Sequence, residues 1–245
     1  RQRNARFLHS LQRRMQLDEV DDTCMLLHAD PFLESVYHSM IRVYSRAGMI
    51  DAAVDLFDTL RKHLHPLGKL PSMFAYDVLI HGLGRYKRFD EARAYWEHLT
   101  NHAPVLPSAR LYSTMMRVLV ESGDPVSAVL LAGELSERGM EPSIHTSIVL
   151  VYAKGQTGDH AGANELFLTT EGKLREKQQE LKQLDDPNSY LRRKEYLDFL
   201  QSKLYVAIAK SCLQHGRFTE AKQLFVGGLS RIGDGTSGEQ VLLLG

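Results

Sequence analysis

The 245-residue sequence predicts an all-α fold, an α-solenoid of stacked helix-turn-helix units with a helical hairpin inserted before the last of them. Three observations lead there. Pro-Ser occurs at Pro71-Ser72, Pro107-Ser108 and Pro142-Ser143 and nowhere else, 36 and then 35 residues apart, and a fixed period in this range marks a stacked repeat. Tyrosine holds the fourth place of units beginning at Glu34, Met73, Ala109 and Ser202 (Tyr37, Tyr76, Tyr112, Tyr205), while Ser147 takes it in the unit beginning at Ile144. Finally, apolar residues recur at i, i+3, i+4 and i+7, one face of a helix, twice within a unit.

Residues 1–33 span about one unit and read as a degenerate N-terminal repeat, with Phe7, Leu8 and Leu11 on a first helix and Leu17-Asp18-Glu19-Val20 opening a second. Arg1, Arg3, Arg6, Arg13 and Arg14, with no acid before Asp18, have the charge character of an organellar transit peptide. The alternative, which we adopt, is a basic terminal helix, with the native start lying upstream of Arg1. Four repeats follow, over 34–72, 73–108, 109–143 and 144–167. Their first helices carry Tyr37, Met40, Ile41, Tyr44, then Tyr76, Leu79, Ile80, Leu83, then Tyr112, Met115, Met116, Leu119. Their second helices open on a small residue that lets two helices cross closely: Ala53 before Leu56, Phe57 and Leu60; Ala92 before Tyr95, Trp96 and Leu99; Ala128 before Leu131 and Leu135. Between the helices, Gly48, Gly123, Gly158 and Gly216 suit a left-handed helix terminus, with Lys87 in that place in the second repeat. Asp51, Asp90, Asp124 and Thr219 are the expected N-caps, and Pro125 suits a first helical position.

Residues 168–201 interrupt the period. The segment is charged and helix-prone, with Glu171 and Arg175 four apart in the favourable order. Asp185-Asp186-Pro187-Asn188 breaks it, and Asn188 can cap the helix that follows. This predicts two prolonged helices projecting as a hairpin, either a solvated arm or, with Arg192-Arg193-Lys194, a partner-docking arm. A fifth repeat covers 202–228 with Ala221, Leu224 and Phe225 on its second helix, and 229–245 reads as a flexible tail.

Composition narrows the function classes. The chain has 43% hydrophobic and 24% charged residues, and its 30 basic and 30 acidic side chains cancel. Proteins that condense on nucleic acid by bulk charge are far more basic, which leaves a basic face offset by an acidic one. Two cysteines, Cys24 and Cys212, cannot make a disulfide framework. No apolar run approaches the roughly 18 residues of a membrane span, so no membrane partner is expected.

Chemical motifs are weak. Gly233-Asp234-Gly235-Thr236-Ser237-Gly238 matches GxGxxG but follows a helix rather than a strand, without the context that places phosphate at a helix N-terminus. His98 and His102 have the spacing of two metal ligands on one helix, without a glutamate beside them or an evident third ligand. No nucleophile–base set can be nominated from spacing. The chain reads as no enzyme, with no cofactor, metal or small-molecule substrate. The recurring tyrosines and Trp96 fall on the packed face, as core residues rather than base-stacking platforms. Arg42, Arg46, Arg85 and Arg117 lie on or just after first helices, where a positive stripe would allow phosphate contact.

The period and punctuation resemble those of the pentatricopeptide repeat proteins. Ala109–Ser143 is a full 35-residue unit with Tyr112, Gly123, Ala128 and the closing run Arg138-Gly139-Met140-Glu141-Pro142-Ser143, and Met40-Ile41, Gly48-Met49-Ile50-Asp51-Ala52-Ala53 and Leu56-Phe57 are equally similar. The tetratricopeptide repeat carries a different signature, with an early tryptophan and Leu-Gly. The resemblance spans about residues 34–228 apart from the insertion. It implies a groove of first helices facing single-stranded RNA in mitochondria or chloroplasts, about one base per repeat. The base is read by the residue after the tyrosine together with the last residue of the unit. In this chain those pairs are His38 with Ser72, Asp77 with Ser108, and Ser113 with Ser143, while Ile148 and Val206 occupy the first site in the later repeats. The family favours Thr, Ser or Asn at the first site and Asp, Asn or Ser at the second, which only Ser113 with Ser143 satisfies. A largely missing code leads us to expect a non-catalytic scaffold of a mitochondrial ribonucleoprotein, a structural component or assembly factor of the mitochondrial ribosome, holding proteins and structured RNA by shape. The alternative is a free single-stranded-RNA-binding factor in mitochondrial or chloroplast transcript stability, processing or editing.

Overall fold

A computed structural model describes residues 31–102, 106–181 and 186–232. Among these residues there are ten α-helices, one 3₁₀ turn and no strand: α1 (Pro31–Ala47), α2 (Ile50–Leu64), the turn His65–Leu67, α3 (Met73–Arg85), α4 (Phe89–His102), α5 (Ala109–Glu121), α6 (Pro125–Glu137), α7 (Ile144–Gln156), α8 (His160–Leu181), α9 (Pro187–Gln214) and α10 (Phe218–Ile232). None is long and apolar enough to cross a membrane. The N-terminal repeat, its transit-peptide character and the GxGxxG tail fall wholly or almost wholly outside the described residues. The chain divides into two compact units, 1–118 and 119–245, with the boundary inside α5.

In the first unit, helices pack in nearest-neighbour order: α1 on α2, α1 and α2 on α3, α3 on α4. The apolar faces that predicted these helices meet in one interior. Tyr37, Ile41, Tyr44, Phe57, Leu60, Tyr76, Leu79, Ile80 and Leu83 are all essentially inaccessible, each aliphatic or Phe side chain contributing about 1.5–3 kcal/mol. The rings of Tyr76 and Tyr95 stand edge-on to Phe57, with centroids 4.9 and 5.2 Å away. Tyr76 donates to, or accepts from, Nδ1 of His98 at 2.8 Å, and Nδ1 of His102 meets the His98 carbonyl at 2.9 Å. The two histidines whose spacing suits a metal are thus engaged within the protein.

One turn design joins the two helices of every repeat. A residue with positive φ ends the first helix, and the next residue's N–H reaches five residues back: Met49 to Tyr44, Arg88 to Leu83, Asp124 to Leu119, Asp159 to Lys154, Arg217 to Cys212, at 2.8–3.0 Å. These are Schellman turns. Lys87 adopts φ 60° in the glycine's place, at a cost of about 1–2 kcal/mol. The residue that closes the turn is already the N-cap of the next helix, which bears out Asp124 but places the caps of α2, α4 and α10 two positions before the expected Asp51, Asp90 and Thr219. Asp124 caps α6, accepting from Ser127 N–H at 3.1 Å, with Pro125 next. Asp159 does the same for α8, accepting from Gly162 N–H at 2.9 Å. Asp51, Asp90 and Thr219 instead lie inside their helices. Asp51 pairs with Arg88 across the turn sequence, and Arg88 also grips Glu91.

The second unit is built around longer helices. Here α6 packs on α7, α7 on both α8 and α9, and α9 on α8 and α10. The second helix of the fourth repeat runs on to Leu181 and the first helix of the fifth begins at Pro187, so α8 has 22 residues and α9 has 28. Asp186, rather than Asn188, caps α9, accepting from the N–H groups of Asn188 and Ser189 at 3.2 and 3.1 Å. The Ser189 side chain first, and then these two N–H groups, hold its carboxyl below the usual range. The extension is not merely a solvated arm, because Leu174, Leu181, Leu197 and Leu200 join Phe167, Leu204 and Ile208 in one buried cluster. Glu171 is buried between two donors, Tyr205 Oη at 2.5 Å and Arg175 at 3.1 Å, so the expected four-apart pair forms.

Candidate nucleic-acid interface

The repeat register places the second, fifth, ninth and thirteenth residues of each first helix on one stripe. On α3 these are Phe74, Asp77, His81 and Arg85; on α1, counted from Glu34 where the repeat begins, they are Ser35, His38, Arg42 and Arg46; on α5 they are Arg110, Ser113, Arg117 and Glu121. In the first unit the stripes of α1, α3 and the start of α5 enclose a cavity of about 440 Å³. Arg42, Arg46, Arg85 and Arg110 line it against a single carboxylate, Asp77. Three of the four arginines expected from the sequence therefore come together. Arg117 lies close enough to His81 to help lower its basicity, after burial and before Arg85 and Arg110. His81 is thereby kept neutral near pH 7, and the positive charge of the cavity comes from guanidinium groups.

Asp77 is only 5% exposed and its two oxygens are taken. Oδ2 accepts from Arg110 Nε at 2.7 Å and Oδ1 from the Thr114 hydroxyl at 2.6 Å. Because Arg110 is 75% exposed, solvent screening limits the ion pair to about 1 kcal/mol or less. Its geometric consequence is larger: the carboxylate that a base would meet is already satisfied.

His38 and Ser72, the first base-reading pair, do come together, with Ser72 Oγ 2.9 Å from His38 Nε2. Glu34 completes the set. It accepts from Ser72 N–H at 3.2 Å and lies 3.4 Å from His38 Nε2. Burial lowers the basicity of His38 more than Glu34 restores it. Ser72 also caps α3, accepting from Ala75 N–H at 3.4 Å. Ser108 and Ser143 cap α5 and α7 in the same way, through Leu111 N–H at 3.4 Å and Thr146 N–H at 3.2 Å. The Pro-Ser period thus has a structural cause: extended backbone at the proline, then a side-chain cap. Ser113 Oγ donates to the Ala109 carbonyl at 2.8 Å within α5. In the second unit Ile148 is buried and Val206 half-buried, so neither offers a polar group.

Sequence reasoning did not single out Arg110, Ser45, Phe74, His81 or Thr114 for this surface. Arg110 and Phe74 share the second place of their repeats and His81 the ninth, so the stripe was available from the period. Ser45 was not. It is 6% exposed, its hydroxyl has no hydrogen-bond partner among the described residues, and it lines the cavity beside Gly82. An orphaned buried hydroxyl costs about 1–3 kcal/mol. A Cβ on Gly82 would stand 2.9 Å from Ser45 Oγ, so the missing side chain admits α1 against α3.

The second unit has a wider cavity, about 820 Å³, between the start of α7 and the α8–α9 extension. Lys173, Lys177 and Arg193 are balanced there by Glu141, Glu176 and Glu180. His145 meets Tyr196 Oη at 2.6 Å across it.

The family described as "PPR repeat" matches residues 35–63, 74–102 and 110–140. A mitochondrial pentatricopeptide repeat-containing protein of Arabidopsis thaliana is 29% identical over 97 residues, 40% of this chain and 15% of its own. A shorter Arabidopsis pentatricopeptide repeat-containing protein is 27% identical over 126 residues, 51% of this chain and 65% of its own. Among solved structures, the pentatricopeptide repeat protein PPR10 in complex with an 18-nucleotide psaJ RNA element superposes with a TM-score of 0.52 at 20% identity, over 84% of this chain and 26% of that one. PPR10 from maize gives 0.50 at 20% identity, over 97% and 32%. The chain spans less than two thirds of each of these proteins. Three matched repeats, each falling on a pair of helices or their turn, show that residues 35–140 of this chain are built of pentatricopeptide repeats.

Proposed function

We propose that this chain is a non-catalytic scaffold of a mitochondrial ribonucleoprotein, a structural component or assembly factor of the mitochondrial ribosome, that holds RNA through its phosphates. The observation that carries the RNA contact is the cavity of the first unit. Arg42, Arg46 and Arg85 make no ion pair there among the described residues, while the base-reading positions beside them are spent on capping and on internal bonds. Guanidinium groups of this kind attract phosphate irrespective of base. The mitochondrial relative and the RNA-bound PPR10 are consistent with this reading. A chloroplast location is the alternative.

Its test has two arms. In a mitochondrial lysate the tagged chain should co-sediment with a ribosomal subunit. The purified chain should bind unrelated single strands about equally, with affinity falling as salt rises by roughly 0.7 log units per log unit of salt for each phosphate contacted. Arg42→Gln, Arg46→Gln and Arg85→Gln should each lower that affinity for all sequences alike. Tight binding to one sequence, lost in Ser113→Ala or Ser143→Ala, would overturn the scaffold reading in favour of a free factor acting in transcript stability, processing or editing. Ser113 and Ser143 sustain this second reading, as the one pair of residue types suited to a base.

A further inference from the structure

The cavity between α1, α3 and the start of α5 holds more than a stripe of basic residues. Its lining sets four guanidinium groups against one carboxylate, and that carboxylate is already held by Arg110 and Thr114. Arg42, Arg46 and Arg85 are left without an ion-pair partner among the described residues, and the Ser45 hydroxyl, 6% exposed, without a hydrogen bond. Phe74, 41% exposed, stands in the same wall, its ring set edge-on to His38 with centroids 5.8 Å apart. A volume of about 440 Å³ lies in the range of small-ligand sites, about 300–1,000 Å³.

A ligand for this lining must supply several acceptor oxygens, more than one negative charge and a flat apolar face. A phosphodiester within a strand offers two free oxygens and one charge, and brings chain on both sides. A terminal phosphate offers three oxygens and about 1.5–2 charges at neutral pH, suited to forked guanidinium donors. We propose that this cavity binds a phosphomonoester, the 5′-phosphate of a nucleotide, among Arg42, Arg46, Arg85 and Ser45, with the base laid on Phe74. The nucleotide is the 5′ end of an RNA or a free mononucleotide. The first source rests on the RNA contact proposed above; the second does not.

The test uses the whole chain and two matched pairs of ligands: adenosine 5′-monophosphate against adenosine, and one short RNA with a 5′-phosphate against the same RNA with a 5′-hydroxyl. Each phosphorylated ligand should bind at least about tenfold more tightly than its partner, the scale of one charge-assisted hydrogen bond. Arg46→Gln and Arg85→Gln should remove most of that preference, Ser45→Ala part of it, and Lys222→Gln, in the other unit, none. The arginines replaced are exposed, so circular dichroism should show unchanged folding. A measurement that needs no variant is protection of Arg42, Arg46 and Arg85 from phenylglyoxal by the monophosphate, read by mass spectrometry. A mononucleotide preference without RNA affinity supports the pocket and overturns RNA contact. Equal affinity for the two RNAs, with no preference for the mononucleotide, overturns the pocket and leaves RNA contact standing. No binding of any ligand overturns both.

Discussion

The two compact units spend the same repeat positions differently. In the first, the residue after the tyrosine is His38, Asp77 or Ser113, all polar, and the surrounding stripe is rich in arginine. In the second it is Ile148 or Val206, and the fourth repeat replaces the tyrosine itself with Ser147. The basic excess of the first unit's cavity contrasts with the matched lysines, arginine and glutamates of the second's. The second unit has instead lengthened two helices and enlarged its hydrophobic interior. A stacked repeat asks only that its packing face be kept. Its open face is free to bind in one place and to recruit extra helix in another.

The largest effect tests the lengthened helices. Leu200→Ala should destabilise the second unit by about 2–5 kcal/mol, as Leu79→Ala should the first, because both delete buried methyl groups. Urea unfolding followed by hydrogen exchange separates the units; a cost below about 0.5 kcal/mol at Leu200 would mean that the extension is an arm after all.

Gly155→Ala comes next. The new Cβ would lie 1.7 Å from Ser211 Oγ and 2.3 Å from its Cβ, so overpacking of about 1–3 kcal/mol outweighs the helical gain of alanine. Adding Ser211→Gly should recover most of the loss, and a double-mutant cycle without coupling would refute the contact.

A smaller change is expected in the first unit. Asp77→Asn keeps an acceptor for Thr114 but breaks the pair with the exposed Arg110, for about 0.5–1 kcal/mol. It should also strengthen RNA binding by freeing a fourth guanidinium; unchanged affinity in a filter-binding titration would separate Arg110 from the phosphate surface.

The smallest effect is that of pH. Burial, the leading cause in each case, lowers the pKa of His38, His63 and His98 below the ordinary 6.5, and all three lie in the first unit. Protons then bind the unfolded chain more readily. The stability these groups contribute is complete above 6.5 and is lost as pH falls from 6.5 through the folded-state values. Hydrogen exchange in the first unit, corrected for intrinsic rates, should show lower protection at about pH 5.5 than at about 7.5. Flat protection would show that these side chains are more solvated than their burial indicates.

Much of the fold was legible. The apolar spacing located every helical pair of the described repeats, and the glycines located their turns, with even Lys87 in the left-handed conformation expected of its place. What the sequence misplaced was short-range: the turn residue after the glycine doubles as the next cap, so Asp51, Asp90 and Thr219 fall two positions too late. The reach of the insertion was also hidden. Most of its charged residues, Lys173, Glu176 and Glu180 among them, are exposed, and the leucines between them report burial only once α8 and α9 lie side by side. The candidate site was half legible. Arg42, Arg46 and Arg85 stood out as first-helix cations, whereas the engagement of Asp77 and the unpartnered Ser45 depend on contacts between helices.

The sequence by itself determined the helical repeat, its period and its packing face, because these follow from local propensities and from spacings within one helix. The tertiary structure alone decided which polar groups are used up and which are left over. Hydrogen bonds and ion pairs between α1, α3 and α5 join residues more than thirty positions apart, and no local spacing specifies whether such groups find each other or wait for a ligand.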